Sequence, residues 1–464
     1  MNSKRLDNDS LKMVIEYMDP HTRFLLSSRI PSISVLDRAI PLKIGRLVIG
    51  DHFIKVNETE YKYEIYQVDC KDEIPYRVSG ECKLNGRWTC DVDEFGIRDY
   101  ITKAGLPGNN GNQEKNLFGF NDLENIPTEK GHLEKLKRIL ITEKQRYDQL
   151  LCYRPENVSE SKKEERESFE KFKAICHDLV YSDEELELLR SEKFVNKAIE
   201  NTDERIKQME NELLPFENRR NNIRPKFEIH VVVKRKSLPR VIIERIVYIS
   251  TGDLHKAGES LMEFMFSKRQ NSVVVNQFEI NQKCHIRMPS DLKMRIGNLE
   301  LKDNISANLE LVEPIIDKTS FKKGILTICC KNNEEIDYKL IAKFSNLVYS
   351  DDSSLALPLV QRFQNNRVYF LNNAFLFFEN DDFIFLLKNW LKTDKPMGTC
   401  FTFPTFQPRK DYIKGILKDV RYHFNEATKG DKCVDIPMRN STALRMSYKL
   451  NDSRYLIILT VVPV

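Results

Sequence analysis

KMRIGNLELKDNISANLELVEPIIDKTSFKKGILTICC, residues 293–330, decides the architecture of the C-terminal half of this 464-residue chain. Its two ends, KMRIGNLEL (293–301) and GILTICC (324–330), are short runs of branched apolar residues and read as strands. Between them ANLELVEPII spaces its apolar residues as a helix does. A strand, a crossover helix and a second strand make a parallel pair, because parallel strands cannot be joined by a tight turn.

The same grammar continues downstream. GILTICC is followed by DYKLIAKFSNLV, read as helix; NRVYFLN (366–372) by DDFIFLLKNWL; and GTCFTF (398–403) by DYIKGILKDVRYHF. The strand starts lie 31, 42 and 32 residues apart, and the long gap is assigned an extra loop, YSDDSSLALPLVQRFQ. A strand–helix unit recurring at this length predicts a leucine-rich-repeat-like βα sheet. Upstream, KFEIHVVVKR, RVIIERIVYIS and SVVVNQFEI read as strands. Asp253 caps a helix, DLHKAGESLMEFMFS, whose buried side carries Leu254, Ala257, Leu261 and Met265. ALRMSYKL and YLIILTVVPV, joined by NDSR, predict a closing hairpin. PLKIGRLVIGDH (41–52) faintly echoes DLKMRIGNLELKDN (291–304).

The N-terminal half uses other patterns. Leu11, Val14, Ile15 and Met18 fall on one helix face behind a Ser10 cap. Asp19-Pro20 opens a second helix with Phe24 and Leu25 inward, and a third, from Ser32 to about Ala39, offers Val35, Leu36 and Ile40. KIGRLVIGDHFIKV and EYKYEIYQV switch to the strand period, and KAGLPGNNGNQEKN is a flexible link. Charged helices with narrow apolar stripes follow, with a capping box at Ser182 and Glu185, and Pro215 is expected to end them. The fold class is therefore α/β (α+β). Its expected parts are a three-helix unit at 1–41, a β-strand segment at 42–104, a linker at 105–128, a charged helical arm at 129–220, and the βα-repeat domain at 226–464.

Chemical motifs are scarce. Net charge is only +4, with no basic face, which argues against nucleic-acid binding. Ten scattered cysteines without framework spacing point to reduced thiols and a cytoplasmic or nuclear location. No signal peptide is read at MNSKRLDNDS. AFLFFENDDFIFLLKNWL is interrupted by acids and YLIILTVVPV is too short, so neither is read as a membrane span.

Cys70, Cys82 and Cys90 with His52 lack the paired spacing of a zinc site. Gly105, Gly108 and Gly111 lack the Lys-Ser/Thr of a phosphate loop. Cys176-His177 and Cys284-His285 offer no nucleophile–base geometry. Asp381-Asp382 reads as a helix cap. Phe363, Tyr369, Phe370, Phe375 and Trp390 cluster in the repeats, with Trp390 read as core. No enzyme, cofactor or metal site is expected.

SLKMVIEYMDPHTRFLLSSRIPSI (10–33), with the strand start Pro41-Leu42-Lys43, resembles the F-box of the nematode F-box C-type protein family. ENELLPFENRRNNIRPKFEIHVVVKR, YISTGDLHKAGESLMEFMFS and FLLKNWLKTDKPMGTCFTF resemble the same family's domain of unknown function. The resemblance implies a non-enzymatic substrate receptor of a cullin-based ubiquitin ligase. Leu11, Ile15, Met18, Pro20 and Leu25 would face the ligase adaptor or support that surface, and the remainder would hold an unknown substrate protein. The alternative is a structural interaction scaffold with a degenerate F-box that binds no ligase. It rests on Ser10-Leu11-Lys12, which stands without the usual proline, and on Tyr17-Met18-Asp19-Pro20.

Overall fold

The parallel array expected from residues 293–330 is present, with some steps between strands shorter than the sequence suggests. The structure, a computed structural model, describes residues 8–50, 52–69, 76–79, 91–97, 129–155, 162–175, 179–235, 242–244, 254–281, 288–302, 305–330, 336–351, 355, 357–371, 374–379, 381–405, 410–451 and 454–464. Helices α1 (Asn8–Tyr17), α2 (Pro20–Arg29) and α3 (Pro31–Ala39) precede strands β1 (Lys43–Gly50), β2 (Phe53–Val56), β3 (Thr59–Gln67) and β4 (Tyr76–Ser79). Next come α4 (Glu129–Cys152), α5 (Lys162–Lys173), α6 (Asp183–Leu186), α7 (Glu192–Arg220), β5 (Phe227–Arg235), β6 (Ile242–Glu244), α8 (Leu254–Phe266), β7 (Val273–Asn281) and β8 (Met294–Leu301). The repeats continue with α9 (Ile305–Val312), α10 (Lys318–Lys323), β9 (Ile325–Cys330), α11 (Tyr338–Ile341), β10 (Asn346–Asp351), α12 (Leu357–Val360), β11 (Arg367–Phe370), α13 (Phe375–Glu379), α14 (Asp382–Thr393) and β12 (Cys400–Thr405). The chain closes with α15 (Lys410–His423), β13 (Thr428–Lys429), β14 (Cys433–Pro437), β15 (Thr442–Asn451) and β16 (Arg454–Pro463).

Two compact units result. The first comprises 1–62, 233–242 and 258–464, and the second 63–232 and 243–257. The N-terminal helices and first strands thus fold with the repeats, while the strand segment read at 42–104 is shared between the units. The linker at 105–128 lies outside the described residues, as do Cys70, Cys82, Cys90, Gly105, Gly108, Gly111, Cys176, His177, Cys284, His285 and the Asp253 cap.

In the first unit β1, β7, β8, β9, β10, β11 and β12 lie side by side, all parallel. Antiparallel strands extend both ends: β2 and the start of β3 beyond β1, and β16, β15, β14 and β13 beyond β12. The expected closing hairpin is β15–β16, and β13–β14 were not foreseen. Neighbouring strands start 21 residues apart from β7 (273) to β8 (294), from β9 (325) to β10 (346), and from β10 to β11 (367).

The 42-residue gap assigned to a loop therefore holds a whole extra repeat. DYKLIAKFSNLV is not one helix: a single turn, Tyr338–Ile341, gives way to β10 at Asn346. Pairing with β9 along 346–351 and with β11 along 346–349 satisfies backbone groups on both sides of the strand, which outweighs a helical apolar spacing. The echo between 41–52 and 291–304 is structural as well. Ile44, Val275 and Ile296 share one row of the sheet, as do Leu47, Phe278 and Leu299.

Strand alternation separates two faces. Leu326, Ile328, Leu347, Tyr349, Val368, Phe370, Phe401 and Phe403 are buried on the helix-covered face. Phe370 stacks on Phe403 at 4.8 Å, and Trp390 of α14 meets Phe401 edge-on at 4.8 Å. Phe363, Phe370 and Trp390 are core, as expected for Trp390, while Tyr369 lies half-buried on the opposite face.

Asparagines stitch one repeat to the next. Asn365 donates to Ile341 O (2.8 Å) and Phe344 O (2.6 Å), Asn346 to Gly324 O (3.1 Å), and Asn271 to Ala39 O (2.8 Å). Each donates to a carbonyl where the preceding segment ends, Ile341 O accepting from Phe344 N as well.

In the second unit α4 packs on α7, with Leu136, Leu140, Ile206 and Met209 forming one apolar cluster. Leu150, Phe169, Tyr181 and Phe194 anchor another. A buried carboxylate, Glu143, takes Arg146 at 2.6 Å and Arg205 at 3.0 Å. The capping box at Ser182 and Glu185 forms. Pro215, however, does not end the arm: α7 runs through it to Arg220. One missing backbone donor is tolerated because the last turns are held from outside, by Asn218 donating to Phe95 O and Arg219 pairing with Asp93.

Candidate functional site: the outer face of the N-terminal helices

Helix α1 carries two apolar stripes on opposite sides. At 100° per residue, Leu11, Ile15 and Met18 fall together, while Met13 and Tyr17 lie across the helix from them with Val14 beside them. Ile15 is 1% exposed and faces the unit's interior. Met13 and Tyr17 are 64% and 83% exposed, Val14 is exposed too, and on α3 Val35 is 71% exposed. α1 packs against α3, and α3 against α2.

The inner side is held rigidly. Phe24 packs edge-on to Phe266 of α8 at 6.2 Å, and His21 Nδ1 meets the Tyr61 hydroxyl at 2.6 Å. Beneath α2 and α3 lies a buried charge cluster. Asp37 accepts from Arg23 at 2.5 Å and from Arg269 at 2.8 Å. Arg23 also donates to Pro41 O, Asp37 O and Ile40 O, closing the C-terminal end of α3. Burial pushes the Arg269 guanidinium below its ordinary pKa, against the opposing pull of Asp37. At the rim, Lys43 of β1 pairs with Glu16 of α1 at 2.9 Å.

Of the residues expected to meet an adaptor, Leu11, Met18 and Leu25 are half-buried, and Ile15 and Pro20 are sealed inside. Ile15 and Pro20 therefore support the helices and present nothing. Val35, one of the apolar positions that the third helix offers, is exposed, and Ser10, expected as a cap, sits inside α1, which begins at Asn8. Asp19 caps α2, accepting from His21 N at 3.1 Å, with Pro20 in the first turn. Met13 and Tyr17 are missed by a reading that seeks one apolar face. Their four-residue spacing was the available signal.

Other candidate chemistry stays apart. Among the described residues, no group of three or more His, Cys, Asp or Glu is placed to hold a metal ion, and no helix is long and apolar enough to cross a membrane. Asp381 precedes α14 without a side-chain capping bond, so the expected cap is absent there. Cys329 and Cys330 sit in β9, as read.

No curated protein and no solved structure matches the chain. Residues 253–407, from just before α8 to just after β12, carry a domain of unknown function, DUF3557.

Proposed function

We propose that this chain is a non-enzymatic protein-binding subunit, a substrate receptor of an F-box-type cullin ubiquitin ligase. In this reading the outer face of α1–α3 docks the ligase adaptor, and the repeat region holds the target protein. The observation that carries it is the second apolar stripe of α1. Met13, Val14 and Tyr17 remain in water on a helix whose other side is already buried. Large apolar side chains grouped on one exposed helix face mark protein interaction sites.

The test is capture of purified adaptor by the full chain, compared with Met13→Asp/Tyr17→Asp. Binding by the wild type that falls about a hundredfold in the variant supports the reading, since charge placed in an apolar interface costs several kcal/mol. No binding by the wild type, or equal binding by both, overturns it. The first of these outcomes is the one expected of a structural scaffold with a degenerate F-box.

A further inference from the structure

The sheet face away from the helices has its charge compensated toward both ends and uncompensated between them. One row of facing residues crosses this face from Arg46 on β1 to Asp435 on β14, by way of Ile325, Asn346 and Arg367. The outer arginines are neutralised across strands. Arg46 meets Glu279 at 2.7 Å, and Arg445 meets Asp435 through two bonds of 2.8 Å. Glu300, beside Glu279, is held by Lys302 at 3.2 Å and by Gln277 at 3.0 Å.

Arg367 lacks such a carboxylate. It is exposed between Asn346 and Cys400, and among the described residues it forms no ion pair. Arg295 of β8 is in the same state. Its neighbours Met294 and Ile296 are buried, so it points to the open side, where it too is exposed and forms no ion pair among the described residues. Asp317 senses Arg295, but one of its oxygens is taken by the Thr319 hydroxyl (2.6 Å) and N–H (2.8 Å). Lys322 and Lys323, exposed at the end of α10 directly before β9, add charge at the same end of the strands. Apolar surface adjoins these cations. On this face Ile325 is 40% and Leu371 45% exposed, and Val348 and Tyr369 are half-buried.

We propose that this part of the open face docks an acidic polypeptide segment, its carboxylates on Arg295 and Arg367 and its apolar side chains on Ile325 and Leu371. This names the chemistry of the target and rests on the reading of the repeats as the part that holds it. Guanidinium groups suit carboxylates because they bind them through paired hydrogen bonds. Three strand steps and three residues along the strand separate Arg295 from Arg367, about 17 Å in all, which an extended peptide spans in about five residues. A few cations set among apolar side chains fit a polypeptide better than a nucleic acid, which needs a continuous basic track.

Fluorescence anisotropy of the full chain, at constant ionic strength, tests this with a labelled peptide whose glutamates stand about five residues apart with leucines between them. The comparison probes are the same peptide with glutamine for glutamate and a single-stranded oligouridylate. Saturable binding of the glutamate peptide is expected, about tenfold or more tighter than that of the glutamine peptide. It should weaken about tenfold or more in Arg295→Glu/Arg367→Glu. The loss should stay below about threefold in Lys388→Glu/Lys418→Glu, which makes the same change of net charge on exposed residues of the covering helices. Absence of saturable binding, equal binding of the two peptides, equal weakening in the two variants, or tighter binding of oligouridylate overturns the proposal. Thermal melts verify that both variants fold, and Arg367→Gln alone, with a severalfold loss expected, serves if the first does not. The adaptor is absent and α1 is unaltered, so failure here leaves adaptor docking to its own capture test.

Discussion

Asp37 and Arg269 are separated by 232 residues in the chain and meet at 2.8 Å inside the first unit. The contact ties α3 to the end of α8, and Arg23 closes it from the other side. Removing the shared carboxylate strands two guanidinium groups. Asp37→Ala is expected to cost about 3–5 kcal/mol in urea unfolding. A loss below about 1 kcal/mol would show that the cluster does not hold the helices.

The two stripes of α1 should separate stability from binding. Met13 and Tyr17 are largely exposed, so Met13→Asp and Tyr17→Asp should leave unfolding free energy within about 0.5 kcal/mol. Ile15→Asp buries a carboxylate at a position 1% exposed and should lower stability by about 3 kcal/mol or more. Equal effects on both stripes would contradict the placement of α1.

Trp390 is wedged edge-on against Phe401 between α14 and β12. Trp390→Ala should cost about 3–5 kcal/mol and abolish much of the near-ultraviolet circular dichroism. A well-folded, barely destabilised variant would mean that the aromatic layer is not the core of the repeats.

Asn365 is 2% exposed and satisfies two carbonyls of the preceding repeat. Asn365→Ala removes both amide bonds in a dry site, although Ile341 O keeps its bond from Phe344 N, with an expected loss of about 1–3 kcal/mol. Asn365→Asp should be worse, because a carboxylate cannot donate to them. The ordering of the two variants in thermal melts decides the point.

Glu279 of β7 bridges Arg46 (2.7 Å) and Lys302 (2.6 Å) on the sheet face away from the helices. Desolvation raises its pKa, but hydrogen bonds from Lys302 and Arg46 outweigh this and leave it below the ordinary glutamate range. A carboxylate whose folded pKa is depressed contributes stability that is complete above its unfolded pKa. That stability is lost as pH falls through the lower folded value. Lys302 is shifted up by the same hydrogen bond, so its contribution is complete below its unfolded pKa and fades as pH rises through the folded one. Glu279→Gln should therefore flatten the acid limb of the stability curve below the ordinary glutamate range. An unchanged acid limb would place the lost protons elsewhere.

Much of the repeat region was legible. β7, β8, β9, β11, β12, β15 and β16 lie where branched apolar runs place them, and α14 and α15 where the helical period does. The failures share a cause. The helical spacing of DYKLIAKFSNLV runs into β10, and Pro215 locally favours an end to the arm, but neighbours distant in sequence override both preferences. At the outer face, Leu11 and Met18 were found through their helical spacing with Ile15. Met13 and Tyr17 were not, because a second stripe gains meaning only once the first is buried.

The sequence alone determined the alternation of strands and helices, the parallel pairing that crossover helices impose, and the capped entry into α2. These follow from periodicity and backbone sterics within a few residues. Tertiary structure alone decided the order of the strands, the 21-residue step, and which side of α1 faces water. It also decided the meeting of Asp37 with Arg23 and Arg269. Those depend on groups tens to hundreds of residues apart, and a buried charge is tolerated only where folding brings its partners within hydrogen-bond reach.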